Sequence, residues 1–267
     1  MTIEVICEID DELVLDHLDQ GFHEMLEGQK STPYPKTFEA IFMLQMNINF
    51  LKTGIFEVAR DDNPYAISVL QRSLYEHAVR HLYLFTRFVV EKSDSPGLDY
   101  YKWTDIKEYL DYFTSLKKEA ELKNDPIEAL PIDEILSEIY AGYSDLSKSE
   151  KREKFSGLSF YSMLRSVLSD LLKGREGVPM LSNLPTDYMI LSSFVHGGPH
   201  ANRLVGFNAL NPDQRARSIY NSCKMAFFFS CITLVNTFIF AGQTDKKLLK
   251  YVPIVREYST KVPDFEE

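Results

Sequence analysis

The feature that most constrains the fold is a long apolar segment near the C-terminus, MAFFFSCITLVNTFIFA at positions 225–241. Its length approaches that of the shortest membrane-spanning helices. However, it continues from an amphipathic run that begins near Asn211. It also carries polar side chains at Ser230, Thr233, Asn236 and Thr237. We therefore interpret it as the buried central helix of a helical bundle, with a membrane span as the alternative.

The rest of the chain also favours helices over strands. It has 15 Tyr and 18 Phe but only 12 Gly, so bulky core residues are many and turn residues are few. Between Phe38 and Phe56 the apolar residues recur at helical spacing, without strand-like alternation. We predict an all-α fold: one bundle of about eight to ten helices, a single domain over residues 1–267, with a long central apolar C-terminal helix.

Capping and helix-breaking residues predict where the helices begin and end. We expect helices at about 11–27, 36–60, 64–92, 100–123, 159–173, 187–195, 212–241 and 245–258. Ser95-Pro96-Gly97 is expected to end the helix at 64–92, and Gly197-Gly198-Pro199 the helix at 187–195. The core is expected at about 36–241, with the weakly patterned residues 124–158 at its periphery, where any mobile region is expected.

Charge and cysteine usage limit the partners and the compartment. The formal charge of −10 repels phosphate backbones, which disfavours general DNA binding but allows a local basic cleft. Cys7, Cys223 and Cys231 are odd in number and form no CxxC pair. Because Cys223 and Cys231 lie in an apolar stretch, we predict that these two are buried thiols in a reducing compartment. No signal peptide is expected, because no basic region precedes an apolar one at the N-terminus. We expect a cytoplasmic protein that does not bind a membrane.

An ion pair is predicted on the helix at 64–92. Arg72 and Glu76 lie four positions apart and therefore project from one helical face, among apolar side chains. The pair is either a structural ion pair, buried or at the surface, or part of a functional site.

Histidines occur as two pairs with a spacing of four. His77 and His81 lie on the neighbouring face of the same helix, whereas the glycines and Pro199 between His196 and His200 prevent a regular helix. Histidines at this spacing can share a metal ion. However, the chain has no HExxH motif and no acidic residue at a ligand offset. Separate packing and capping roles are favoured, and no metal or other cofactor is expected.

A second polar group of residues is LSSFVHGGPHAN at 191–202. Because a helix that ends in His-Gly-Gly leaves unpaired carbonyls nearby, His196 is either a helix cap or a general acid–base group over a cleft. Ser192, His200 and Asn202 are the candidates for substrate binding. No GxSxG elbow surrounds Ser192, and the chain lacks GxxxxGK[ST] and GxGxxG, so a hydrolase serine and common nucleotide-binding loops are not expected.

Two segments together resemble a family of bacterial and phage-associated all-helical proteins. They are RSLYEHAVRHLYL at 72–84 and LSSFVHGGPH at 191–200, and the likeness spans about 36–241. In that family an Arg-x-x-x-Glu helix is paired with a later Ser-x-x-x-His segment. The resemblance implies a common polar pocket in which the following residues face one another: Arg72, Glu76, Ser192 and His196.

The first segment also resembles the HEPN superfamily, helical domains that often act as metal-independent ribonucleases in defence and toxin–antitoxin systems. Their hallmark, an arginine followed after four to six residues by a histidine, matches Arg72 and His77. These two residues project about 140° apart on an ideal helix, and in HEPN nucleases the site is completed across a dimer. This chain departs from the superfamily at Ser73, where a larger polar residue is usual, and in its acidic charge.

Two functions follow. The resemblance implies a metal-independent ribonuclease or toxin-type effector in phage defence, with RNA as substrate, a homodimer and a protein regulator. In it His77, or His196 as the alternative base, takes the ribose 2′-hydroxyl proton, while Arg72 stabilises phosphate charge and Glu76 orients the base or the arginine.

The alternative is a non-catalytic helical interaction or scaffold protein with a structural Arg–Glu–His cluster. A nuclease requires Arg72 and a histidine exposed in a cleft that basic residues line, and the candidates for that lining are Arg80, Arg87 and Arg203. A scaffold instead buries Arg72 and the histidine in mutual hydrogen bonds and leaves no room for a ligand.

Overall fold

A computed structural model of the chain describes residues 2–123, 131–171 and 179–265. Within these ranges the regular structure is helical and no β-strand occurs, so the all-α prediction is confirmed. A π-helical segment, Glu12–Leu18, and two 3₁₀ turns, Gln29–Ser31 and Lys246–Lys250, join some of the helices. The α-helices are α1 (Ile3–Asp11), α2 (Asp19–Gly28), α3 (Pro35–Arg60), α4 (Pro64–Glu91), α5 (Ser95–Lys123), α6 (Ile132–Ile139), α7 (Lys148–Gly157), α8 (Phe160–Leu171), α9 (Pro179–Val195), α10 (Pro199–Leu210), α11 (Pro212–Ala241) and α12 (Tyr251–Tyr258).

The bundle is organised around α11, which packs against α3, α4 and α12. Its buried side chains include Phe227, Phe229, Phe238 and Phe240, so the predicted long apolar helix is central. Judged by length and composition alone, α11 is also the one helix of the described ranges that is apolar enough to span a membrane. Its most apolar window is 61% buried by the rest of the protein, as expected for a core helix.

The helices α3 and α4 begin and end where the capping signals predict. Asn63 accepts a hydrogen bond from the Ala66 N–H at 3.1 Å, and Pro64 occupies the first turn of α4, where its missing N–H is not needed. At the other end Lys92 adopts a left-handed conformation, with φ 48°, and its N–H bonds to the Phe88 carbonyl at 2.9 Å.

The predicted start of the next helix near residue 100 was wrong, because α5 begins at Ser95 and includes Pro96 and Gly97 in its first turn. Proline is tolerated in a first helical turn. The turn before it also caps α3: the Asp94 carboxylate accepts hydrogen bonds from the N–H groups of Lys36 at 3.1 Å and Thr37 at 2.7 Å. The first turns of α3 and α5 therefore lie against each other.

Gly97 lies in this contact, and we expect Gly97→Ala to lower the free energy of unfolding by about 1–3 kcal/mol. A Cβ at Gly97 would lie 2.2 Å from the backbone nitrogen of Thr37 and 2.3 Å from the carbonyl carbon of Lys36, so the two helices must move apart. Urea unfolding measures the change. The matched control is Gly28→Ala, whose Cβ meets no atom within 4 Å and which we expect to change stability little. Equal effects of both substitutions would contradict the close packing.

The first predicted helix also starts earlier than expected, at Ile3, and a π-helical segment divides it. The main core includes side chains from this N-terminal part and from α12, among them Ile6, Leu18, Met25 and Val255. Residues 131–158 lie apart from that core. There α6 and the following turn contribute to a small cluster of Trp103, Ile106, Leu136 and Tyr143. Residues 124–130 and 172–173 of the predicted elements lie outside the described residues.

Candidate functional site

A polar cluster lies where α4 packs on α9. On α4 the side chains of Arg72 and Glu76 share one face, since they are four positions apart. On α9 the same spacing holds for Tyr188 and Ser192. The two pairs meet across the helix interface, and we call these four residues the Arg72 cluster.

The guanidinium of Arg72 has three partners in the cluster. Its Nε donates to Ser192 Oγ at 3.1 Å and its Nη2 to Tyr188 Oη at 2.8 Å. The same Nη2 lies 3.1 Å from Glu76 Oε1, an ion pair whose side chains are 20% and 24% exposed. The predicted ion pair is therefore a partly buried one.

The hydroxyl groups of Tyr188 and Ser192 also donate hydrogen bonds. Tyr188 Oη donates to Glu76 Oε1 at 2.5 Å, which closes a ring of contacts with Arg72. Ser192 Oγ donates to the backbone carbonyl of Tyr188 at 2.7 Å. Such a network rigidifies the interface because each polar group satisfies the next.

Aromatic rings of α8 cover the cluster. The ring of Phe160 stacks on Tyr188 with centroids 3.8 Å apart, and Tyr161 meets the same ring edge-on at 5.8 Å. The Arg72 guanidinium carbon lies 4.9 Å from the centre of the Tyr188 ring. Burial, and next the neighbouring Glu76 carboxylate, raise the pKa of Tyr188 to about 12, so its phenol stays protonated at neutral pH.

The histidines of α4 are engaged away from the cluster. His77 Nδ1 lies 2.8 Å from the Ser73 carbonyl of its own helix, so this nitrogen carries the proton. His81 is fully buried, and its Nε2 lies 2.9 Å from Thr237 Oγ1 on α11. Burial lowers the pKa of His81 to about 3. Across the described ranges, no group of three or more His, Cys, Asp or Glu side chains is arranged so that it could hold a metal ion.

His196 follows Ser192 by one turn at the exposed end of α9. Within the part of the chain that the structure describes, no hydrogen bond or ion pair joins its imidazole to the Arg72 cluster. The carbonyls that it was predicted to cap have other partners. Tyr65 Oη donates to the Phe194 carbonyl at 2.5 Å, and the Gly198 N–H bonds to the Ser193 carbonyl at 2.8 Å. The preceding Gly197 takes φ +61°, which breaks the helix as predicted.

The other candidate residues lie elsewhere. His200 and Asn202 are in α10, half-buried and exposed respectively, and neither forms a hydrogen bond to the cluster among the described residues. Of the basic residues expected to line a cleft, Arg87 pairs with Glu91 at 2.6 Å and with Asp99 at 3.2 Å. The structure thus brings together Arg72, Glu76 and Ser192. No hydrogen bond or ion pair among the described residues joins the side chains of the other candidates to them, and these candidates are His77, His196, His200 and Asn202.

Tyr188 is the residue that the sequence analysis missed. It precedes Ser192 by four positions, the same spacing that joins Arg72 to Glu76, so a search for facing pairs on two helices would have found it. Two cavities formed by described residues, of about 670 Å³ and about 520 Å³, are lined by neither Arg72 nor a histidine. Among the described residues the cluster is therefore a contact between packed helices.

Comparisons with protein-family models, curated proteins and solved structures found no match to this chain. Its fold and cluster define the class to which it can be assigned: an all-α bundle with a polar network between two of its helices. The likeness to the bacterial and phage-associated family and to the HEPN superfamily stays a prediction from the two segments.

Proposed function

We propose that this chain is a non-catalytic helical interaction protein in which the Arg72 cluster holds α9 on α4. The observation that carries the proposal is the occupation of the Arg72 guanidinium by Ser192, Tyr188 and Glu76. A metal-independent nuclease needs an arginine and a histidine that face the substrate together. Here the arginine faces a tyrosine, a serine and a glutamate.

The environment of the histidines and the charge of the chain support the same proposal. His77 and His81 have partners within the bundle. The formal charge of −10 disfavours a polyanionic partner. We propose a protein partner, a second copy of this chain or a regulator, and a reducing compartment such as the cytoplasm, which suits the three buried free thiols.

The architectural role predicts that Arg72→Ala lowers the free energy of unfolding by about 1–3 kcal/mol. The substitution leaves the half-buried Glu76 carboxylate without its cation and removes a donor from Tyr188 and Ser192. Urea unfolding measures the loss.

The control is Arg203→Ala, which removes the same charge from an exposed position on α10 and should leave stability nearly unchanged. A cycle that combines Arg72→Ala with Tyr188→Phe should give a coupling energy of at least about 0.5 kcal/mol. An unaltered stability of Arg72→Ala, or strict additivity in the cycle, would contradict an architectural role for the cluster.

A second candidate is the metal-independent ribonuclease, an effector of the phage-defence kind. The observation that favours it is the position of His196, exposed and one turn beyond the serine that contacts Arg72. In this candidate His196 removes the ribose 2′-hydroxyl proton, and the 2′-oxygen attacks the phosphorus to form a cyclic phosphate. The bond to the 5′-oxygen breaks, and this oxygen takes a proton from water to leave as a hydroxyl. Arg72 must first leave its present partners to reach the phosphate. RNA cleavage in chelator, lost in His196→Ala, is its test.

A further inference from the structure

A cavity of about 670 Å³ lies between α4, α9, α10 and α11. Its volume is within the range of small-molecule sites, about 300–1,000 Å³. The cavity is next to the Arg72 cluster but separate from it. Gln71 and Asp187 line the cavity, whereas the residues that follow them in the chain, Arg72 and Tyr188, belong to the cluster.

Asp187 brings an uncompensated negative charge to the cavity. Its side chain is half-buried, and it forms no hydrogen bond or ion pair with any residue that the structure describes. Burial alone raises its pKa. The other charged residue of the lining, Arg217, has its guanidinium 5.8 Å from the ring of Phe265. A half-buried carboxylate without a cation destabilises the free protein, and a bound cation would offset that cost.

A buried polar pair forms another part of the lining. Tyr75 is 2% exposed and Gln71 is 8% exposed, and Gln71 Nε2 donates to Tyr75 Oη at 2.8 Å. This bond leaves the phenolic proton of Tyr75 without an acceptor in the described ranges. Burial, and next the charge of Asp187, raise the pKa of Tyr75, so the phenol keeps this proton at neutral pH. A buried donor without an acceptor is costly, and a ligand acceptor would satisfy it.

Apolar side chains from four helices also line the cavity. Among them are Ile67 of α4, Leu191 and Phe194 of α9, Leu204 of α10 and Met225 of α11. A site with apolar walls and a few convergent polar groups is typical of small-molecule binding. Besides the Asp187 carboxylate and the buried Tyr75 phenol, the polar lining includes Arg217 and uncharged side chains such as Ser68, Asn183 and Gln214.

We propose that this cavity binds a small organic cation, an amine or guanidine with a short apolar body and a hydrogen-bond acceptor. The protonated nitrogen pairs with Asp187, the body packs on the apolar walls, and the acceptor takes the hydrogen bond of Tyr75. The net charge of −10 attracts cations toward the chain. The proposal is independent of the Arg72 cluster and of the function proposed for it, so either can fail without the other.

The test is isothermal titration calorimetry of the full chain with tyramine, phenethylamine and benzamidine, and with tyrosol, phenethyl alcohol and benzamide as their respective neutral counterparts. We expect at least one cation to bind with a Kd below about 1 mM. Its neutral counterpart and the Asp187→Asn variant should each bind at least about tenfold more weakly. The control Asp16→Asn makes the same charge change at an exposed aspartate outside the cavity and should bind like the wild type.

A thermal unfolding experiment checks that the Asp187→Asn variant is folded. Asp187→Asn removes an unpaired half-buried charge, so the ligand-free variant should melt at or above the wild-type temperature. Failure of every cation to bind, equal binding by the neutral counterparts, or undiminished binding to Asp187→Asn would each overturn the proposal. Tyr75→Phe should weaken only ligands that carry an acceptor, such as tyramine.

Discussion

Asp10→Ala is expected to lower the free energy of unfolding by about 3–5 kcal/mol. Lys52 Nζ of α3 lies 2.5 Å from Asp10 Oδ1 of α1, with side chains that are 3% and 12% exposed. Removal of the carboxylate leaves a buried ammonium without an anion, which is more costly than the absence of both charges. Urea unfolding of the variant and the wild type at neutral pH measures the loss.

The double variant Asp10→Ala/Lys52→Met separates the lost ion pair from the lost packing. Because methionine fills most of the lysine volume without charge, the double variant should recover much of the stability that the single variant loses. Asp16→Ala, an exposed aspartate of the following π-helical segment, should change stability by less than about 0.5 kcal/mol. If the double variant is no more stable than Asp10→Ala, the loss in the single variant does not come from a buried Lys52 charge without an anion, and the account is contradicted.

Acidification from pH 7.5 to pH 5 is expected to destabilise the wild type by about 2 kcal/mol more than it destabilises His81→Gln. Burial lowers the pKa of His81 in the folded protein to about 3, against about 6.5 in the unfolded chain. Between these values the unfolded chain binds the proton and the folded protein does not. The contribution of neutral His81 to the free energy of unfolding is therefore fully present above about pH 6.5 and is lost as the pH falls toward 3.

Glutamine is the matched replacement because its amide can donate to Thr237 Oγ1, as His81 Nε2 does, but does not titrate. The Thr237 hydroxyl donates to the Thr233 carbonyl at 2.8 Å, so the bond from His81 requires a proton on Nε2. Its Nδ1 is buried without a partner in the described ranges, which agrees with a neutral ring. If the free energy of unfolding depends on pH equally in the wild type and in His81→Gln, then His81 is not a buried neutral imidazole.

Local signals predicted the long helices well. Asn63 and Pro64 begin α4, and Pro212 begins α11, because capping and proline act within one turn. The start of α1 was missed because the acidic residues near the N-terminus resemble a solvated segment. One of them, Asp10, is instead buried and forms an ion pair with Lys52, which lies forty-two positions further along the chain. The start of α5 depends on a contact with α3, which local patterns do not contain.

The candidate site was predicted only in part, because local patterns do not contain the contacts between helices. Spacing along one helix determines which residues share a face, so Arg72 and Glu76 could be paired from the sequence. Which residues of α9 they meet depends on how the two helices dock, and the packing of Phe160 on Tyr188 contributes to that docking. The placement of His196 opposite Arg72 came from the resemblance alone, and no hydrogen bond or ion pair in the described ranges connects these two residues.

Incubation of transfer RNA and messenger RNA with the purified protein in chelator tests most directly whether the Arg72 cluster is architectural or catalytic. The wild type is compared with Arg72→Ala and His196→Ala on gels at high protein concentration. An interaction protein predicts no cleavage above the buffer control in any of the three samples. Cleavage by the wild type that disappears in Arg72→Ala or His196→Ala, with both variants folded, would contradict that proposal and establish the ribonuclease.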